Sequence, residues 1–194
     1  MMLLKVFGQS MLVLIKSREK IHESKNKMEF QPLNIAILTI SDTRSEADDK
    51  SGDTLVSLLT NAGHCLAKRS IVKDEITLIA DKFSEWSKNP EIDVIISTGG
   101  TGLTRRDVTP EALALVAEKN IPGFGELFRW ISYQNIGTST IQSRADAAIT
   151  NGTYIFILPG SPGACRDGWE GILADQLDIR HKPCNFTELI GRLK

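Results

Sequence analysis

From Asn34 onward, short apolar runs alternate with stretches whose apolar positions recur at helical spacing. Asn34–Ile40 (NIAILTI) reads as a buried strand that ends in the polar run SDTRSEADDK. Leu55, Leu58 and Leu59 then share one helical face, with Ser51 placed to cap that helix and Gly63 to stop it. His64–Val72 reads as a second strand. Ile76, Ile79, Ala80, Phe83 and Trp86 fall at helical spacing behind Asp74, which stands where an N-cap belongs. Residues 92–97 (IDVIIS) form the clearest interior strand and run directly into glycine. Thr109-Pro110-Glu111 combines a capping hydroxyl, a first-turn proline and an early acid, the marks of a helix start. Its buried stripe is Leu113, Val116 and Ala117, and a further helix covers Gly125–Tyr133. Thr153–Leu158 (TYIFIL) is another strand, and Trp169, Ile172, Leu173 and Leu177 mark a last helix.

Strands alternating with helices require crossover connections, which predict an α/β fold in three layers around a mostly parallel central sheet. Ligands of such sheets bind beyond the carboxyl ends of the strands. That rule selects three loops: Ser41–Ser51, Thr98–Thr109 and Pro159–Cys165.

Composition narrows the partners. The chain has 194 residues, 24% of them charged, with a formal net charge of -1. That balance supplies no broad attraction for nucleic acid or an anionic membrane, so any anion must be held by a local site. No apolar run reaches the roughly 18 residues of a membrane span. Cys65, Cys165 and Cys184 are odd in number and far apart, and the three histidines lack ligand spacing. A reducing, cytoplasmic setting is expected rather than a disulfide or zinc framework. Residues 1–27 are basic and lack a small-residue cleavage site. They read as a loosely structured extension ahead of a single domain over 28–194, with Met28 a candidate true start.

The chemistry gathers in the loops. Thr98-Gly99-Gly100-Thr101-Gly102 lies between a strand and a helix, where glycine lets consecutive backbone amides converge on an anion. It is not a P-loop, because no Gly-Lys-Ser/Thr follows, and a dinucleotide fingerprint fails at Arg105. Arg105 and Arg106 bring positive charge beside the turn, and Asp107 brings an acid that bound phosphates would repel unless a cation intervened. Magnesium resolves that conflict, since it bridges carboxylates and phosphates; the alternative makes Asp107 an ordinary helix-start residue. Asp74 is open in the same way, as a cap or as a second acid in the crevice. Ser41-Asp42 and Pro159-Gly160-Ser161 end two further strands.

Seven motifs occur in order: ILTISDTR, DKSG, IVKDE, STGGTGLTRRDVTPEA, PGFGELFR, TSTIQSRA and LPGSPGACRDGW. In this the chain resembles the MoaB/MogA family of molybdenum cofactor biosynthesis proteins from about Asn34 to its end, and its MoaB-like branch through Pro183-Cys184-Asn185-Phe186. The resemblance implies a molybdopterin-binding α/β domain that assembles as a homotrimer or a dimer of trimers. It implies adenylylation of molybdopterin with ATP and Mg2+, releasing pyrophosphate; the alternative is a non-catalytic molybdopterin carrier. Carried across by motif, Asp74 and Asp107 are the catalytic, metal-holding acids. Ser41, Asp42, Thr98, Gly99, Gly100, Thr101, Gly102, Pro159, Gly160 and Ser161 form the nucleotide and phosphate site. Arg106, Ser143 and Arg144 lie at the pterin side.

Overall fold

The structure, a computed structural model, describes residues 28–193, and the compact unit they form begins at Gln31. The expected extension over residues 1–27 lies outside the described residues.

A six-stranded sheet forms the middle layer, in the order β2-β1-β3-β6-β5-β4. Strands β1 (Asn34–Ile40), β2 (Cys65–Val72), β3 (Val94–Thr98) and β6 (Thr153–Leu158) pair in parallel, whereas β5 (Asp146–Thr150) pairs antiparallel both with β6 and with the two-residue β4 (Lys119–Asn120). The sheet is therefore mixed, with the antiparallel part at one edge.

Period-two alternation divides the core. Ile35 and Ile37 of β1 face one side with Val94, Ile96 and Phe156, under α1 (Lys50–Asn61), α4 (Pro122–Ile136) and α5. Ala36, Leu38 and Ile40 face the other side with Ile95 and Ile157, under α2 (Ile76–Ser87) and α3 (Thr109–Val116). Burial on both faces explains why these strands read as continuous apolar runs rather than alternating ones. Helix α5 begins at Pro162–Gly168, passes through a π-helical stretch at Trp169–Leu173 and ends with Ala174–Gln176, so it starts a full turn or more before the predicted last helix. A short helix α6 (Thr187–Leu193) follows it.

Helix starts differ from expectation in three places, and each difference frees a side chain for the site. Asp49, not Ser51, caps α1, accepting from the Gly52 amide at 3.0 Å. Glu75 occupies the cap position of α2, which leaves Asp74 one residue outside the helix. Val108 occupies that of α3, while the Thr109 hydroxyl donates instead to the Gly99 carbonyl at 2.9 Å. Among the described residues, no helix is long and apolar enough to cross a membrane.

The chain leaves β1 through α1 on one face and β3 through α3 on the other. This divergence opens a crevice beyond the carboxyl ends of β1 and β3, where open α/β sheets place ligands.

Candidate functional site

A cavity of about 560 Å³ occupies that crevice. Its floor comes from the four parallel strand ends: Ile40 and Ser41 after β1, Asp74 after β2, Gly99–Gly102 after β3 and Pro159–Ser161 after β6. Phe128, Ser132 and Ile136 of α4, with Ser139, Gln142 and Ser143 of the turn that follows, make the opposite wall. The volume lies within the range of small-molecule pockets.

The glycine turn is anchored from outside. Gly99 (φ +110°) and Gly100 (φ +63°) adopt left-handed backbone that favours glycine. A Cβ at Gly99 would stand 2.2 Å from the Ile40 carbonyl oxygen, so close packing adds to the conformational demand. Four successive carbonyls each accept a hydrogen bond. The Gly99 carbonyl receives the Thr109 hydroxyl, the Gly100 carbonyl the Thr109 amide (3.0 Å), the Thr101 carbonyl the Arg144 amide (3.0 Å) and the Gly102 carbonyl Arg144 Nε (2.8 Å). These bonds fix the orientation of four consecutive peptide planes before any ligand arrives, the preorganisation that makes donors effective toward a charged group.

Two carboxylates flank the turn. Asp74 Oδ1 lies 3.0 Å from where a Gly100 Cβ would be, and Asp107 Oδ2 lies 2.8 Å from that of Gly102. Asp107 Oδ2 accepts from the Thr104 amide (2.9 Å) and hydroxyl (2.6 Å). The two acids sit in contrasting fields. Burial, together with the neighbouring charges of Asp42 and Asp107, pushes the Asp74 carboxyl above its ordinary value. Burial acts on Asp107 in the same direction, but the Thr104 and Gly102 donors and Arg144 outweigh it and hold that carboxyl low. Two acids driven apart in this way are frequent at functional sites.

Twelve of the residues singled out from sequence line the cavity: Ser41, Asp74, Gly99, Gly100, Thr101, Gly102, Arg106, Asp107, Ser143, Pro159, Gly160 and Ser161. Three stand behind it. Asp42 holds Arg106, accepting from Nε at 2.8 Å and Nη2 at 2.6 Å. The Thr98 hydroxyl is buried and donates to the Pro159 carbonyl at 3.0 Å. Arg144 turns its guanidinium to the Gly102 carbonyl, to the Asp107 carbonyl (2.7 Å) and to Glu111, so its contacts are with the glycine turn. Sequence reasoning missed Arg44, which lines the cavity and lies at the end of the strand motif ILTISDTR. The signal was a basic residue in a strand-end loop. The wall from α4 was also missed, because its cavity-facing positions share the pattern of an ordinary buried stripe.

Comparisons with known proteins bear on the family and the fold. A family model described as a probable molybdopterin binding domain matches residues 36–179. Molybdenum cofactor biosynthesis protein B of Escherichia coli (strain K12) is 48% identical over 163 residues, covering 84% of this chain and 96% of that protein. A crystal structure of a molybdenum cofactor biosynthesis protein B superposes with a TM-score of 0.78 at 37% identity, covering 86% of this chain and 98% of its own. The tungsten cofactor synthesizing protein MoaB from Pyrococcus furiosus gives 0.67 at 34% identity, with 75% and 92% covered. With the family model spanning most of the described domain and the fold and glycine turn in place, the chain belongs to the MoaB/MogA family of molybdenum cofactor biosynthesis proteins.

Proposed function

We propose that the chain binds molybdopterin in the cavity at the strand ends and transfers an adenylyl group from ATP to the pterin's terminal phosphate, with Mg2+ as cofactor. The observation that carries this reading is the meeting of Asp74 and Asp107 on either side of one anchored glycine turn, in one cavity. The family match supports the pterin as ligand.

In this reaction a phosphate oxygen of the pterin attacks the α-phosphorus of ATP. A new phosphoanhydride bond forms, the bond between the α- and β-phosphates breaks, and pyrophosphate leaves. The nucleophile is already ionised near neutral pH, so the protein needs no proton acceptor for the attack. Its task is to hold two anions together and in line. The fixed peptide planes of Gly99–Gly102 and the hydroxyls of Ser41, Thr101 and Ser161 supply donors along the cavity floor. Arg106 adds a cation at its rim.

The acids fit a magnesium ion completed by substrate. Among the described residues, no group of three or more His, Cys, Asp or Glu forms a metal cage. Mg2+ commonly takes one or two carboxylates and fills its octahedron with phosphate oxygens and water. Asp74 and Asp107 would hold it there, and it would offset the charge between the two phosphate groups.

Incubation of the chain with molybdopterin, ATP and magnesium, followed by mass analysis of the pterin, tests the reading. The expected result is an adenylylated pterin that Asp74→Asn and Asp107→Asn each abolish or cut by about 100-fold or more. Bound pterin without ATP-dependent product would decide for a carrier. Unchanged turnover in both variants would remove the role given to the acids.

We also propose assembly as a homotrimer or a dimer of trimers. Trp130 is 66% exposed and Ile141 81%, with Leu127, Tyr133 and Ile136 exposed nearby on α4. A cluster of that kind commonly marks an interface. Sedimentation equilibrium showing a monomer would overturn this assignment.

A further inference from the structure

Arg44 and Arg106 are the two basic side chains among the cavity-lining residues, and they are held differently. Arg106, 58% exposed, lies in a two-pronged pair with Asp42. Arg44, 29% exposed, is fixed from beneath: Nη1 donates to Ser51 Oγ at 2.5 Å and Nη2 to the Gly160 carbonyl at 2.8 Å. It thereby joins the loop after β1 to the loop after β6.

Beneath Ser51 stands Asp49, which is fully buried. Ser51 Oγ donates to Asp49 Oδ1 at 3.2 Å, so the hydroxyl proton points at the carboxylate and its lone pairs are left for Arg44. The carboxylate is itself fixed by the Thr39 hydroxyl (2.7 Å), the Gly52 amide (3.0 Å) and Arg69 Nη2 (2.9 Å). Glycine is required at position 52, where a Cβ would stand 2.0 Å from Asp49 Oδ2. A buried carboxylate is costly unless fully paired. Here the pairing organises a chain from Arg69 through Asp49 and Ser51 to a guanidinium on the cavity wall. The bonds to Ser51 and Gly160 use two of the five N–H donors of Arg44. A guanidinium held in one orientation, with donors to spare, is suited to a phosphate oxygen.

We infer that Arg44 is a phosphate-binding residue of this cavity, with Ser51 and Asp49 as positioning residues that hold its guanidinium for that contact. The inference rests on the reading of the cavity as a site for two phosphate-bearing substrates. The ligand chemistry is a phosphate oxygen, supplied either by ATP or by the pterin phosphate.

Steady-state kinetics of the full chain, with ATP and molybdopterin varied in turn, test it in Arg44→Met, Arg44→Lys, Ser51→Ala and the Met/Ala double variant. Arg44→Met raises the KM of one substrate by about 10- to 100-fold, the range for one or two lost charge-assisted hydrogen bonds, with a smaller change in kcat. A rise confined to ATP assigns the nucleotide phosphates, and one confined to molybdopterin assigns the pterin phosphate; either supports the inference. Arg44→Lys recovers part of the loss, because it keeps the charge without the fork. Ser51→Ala raises the same KM by roughly 3- to 10-fold and adds little to Arg44→Met, since it acts through that side chain. Wild-type KM for both substrates in Arg44→Met, with any loss confined to the melting temperature, would make Arg44 a structural clasp and end the inference. If the wild-type chain forms no adenylylated pterin, adenylyl transfer fails while Arg44 is still tested by calorimetric titration with inorganic triphosphate and magnesium and, separately, with molybdopterin. Binding of either about tenfold or more weaker in Arg44→Met supports the inference. Equal affinity for both, or no binding of either to the wild-type chain, overturns it.

Discussion

Removing the carboxylate of Asp49 is the sharpest test of how the loop after β1 is built. The side chain is fully buried and accepts hydrogen bonds from four partners at once, the Thr39 hydroxyl, the Gly52 amide, the Ser51 hydroxyl and Arg69, with Arg44 Nη1 also 3.8 Å from Oδ1. Asp49→Ala deletes the cap of α1, which typically costs about 1 kcal/mol. It also strands two buried hydroxyls, each at about 1 kcal/mol or somewhat more. Arg69 suffers less than the partner of a fully buried pair, because it is 24% exposed and keeps Asp53 at 2.7 Å. The combined loss is about 3–4 kcal/mol, allowing for overlap between neighbouring terms. Asp49→Asn keeps an oxygen for the cap but turns an amide donor toward both Thr39 and Arg69, which share Oδ2, so about 1.5–2 kcal/mol is expected. Urea unfolding at one fixed protein concentration, with a shared slope, reads both values.

The pH dependence has a definite sign. Burial raises the Asp49 carboxyl, but the Gly52 amide, the Thr39 hydroxyl and Arg69 outweigh it and leave the folded value lowered. A depressed carboxyl stabilises above its unfolded value, and that stabilisation is lost as pH falls through the folded one. The gap between wild type and Asp49→Asn should therefore be level from neutral pH to about pH 4 and narrow below it. Both variants within about 0.5 kcal/mol of wild type, or Asn as damaging as Ala, would refute the account of the carboxylate as an essential acceptor.

Gly100→Ala forces a positive φ on alanine and sets its Cβ 2.3 Å from Thr109 Oγ1 and 3.0 Å from Asp74 Oδ1. A stability loss of about 1–3 kcal/mol with a larger loss of turnover is expected in unfolding and product assays, whereas Gly163→Ala, with nothing within 4 Å of its Cβ, should be harmless. Titration with a thiol reagent at pH 8 should show two fast thiols, exposed Cys65 and Cys184. Cys165, whose thiol burial pushes up to about 11, should react only on unfolding; three fast thiols would contradict its placement beside Thr98. Asp42→Asn removes a charge that helps raise the Asp74 carboxyl. The acid limb of the pH–activity profile should move to lower pH, and an upward move would show that Arg106 dominates the field at Asp74 instead.

The parallel part of the fold was legible because its strands are buried on both faces and read as unbroken apolar runs. Thr153–Leu158 coincides with β6 to the residue, and the rule placing ligands at strand ends selected three of the four strand-end loops that line the cavity, leaving out the one after β2 that carries Asp74. The antiparallel edge was not read. Ala147 and Ala148 supply little β propensity, and β4 is two exposed residues long. Yet a signal was present: Asn151-Gly152 lies between AAIT and TYIFIL, and both residues take positive φ, +49° and +76°, in a two-residue hairpin turn. The caps at Ser51 and Asp74 were misplaced because a polar residue one or two positions from a helix start satisfies the same pattern. At the first of them, only the tertiary pairing of Asp49 with Thr39 and Arg69 decides in favour of Asp49.

That unread hairpin bears directly on the site. Its register pairs Thr150 with Thr153 next to the turn and Asp146 with Ile157 at the far end, so the turn determines where the chain stands just before β5. There Arg144 donates its amide to Thr101 and its guanidinium to Gly102 and to the backbone of Asp107. A slip of one residue along β5 would reverse every face of the strand and withdraw those bonds from the glycine turn. Parallel strands bring the cavity-lining loops to one rim, but parallel pairing alone leaves the outer side of the glycine turn unsupported. The antiparallel edge supplies that support, which is why a mixed sheet, rather than a wholly parallel one, suits a site that must hold the Asp107 backbone and the Thr101 and Gly102 carbonyls in fixed positions.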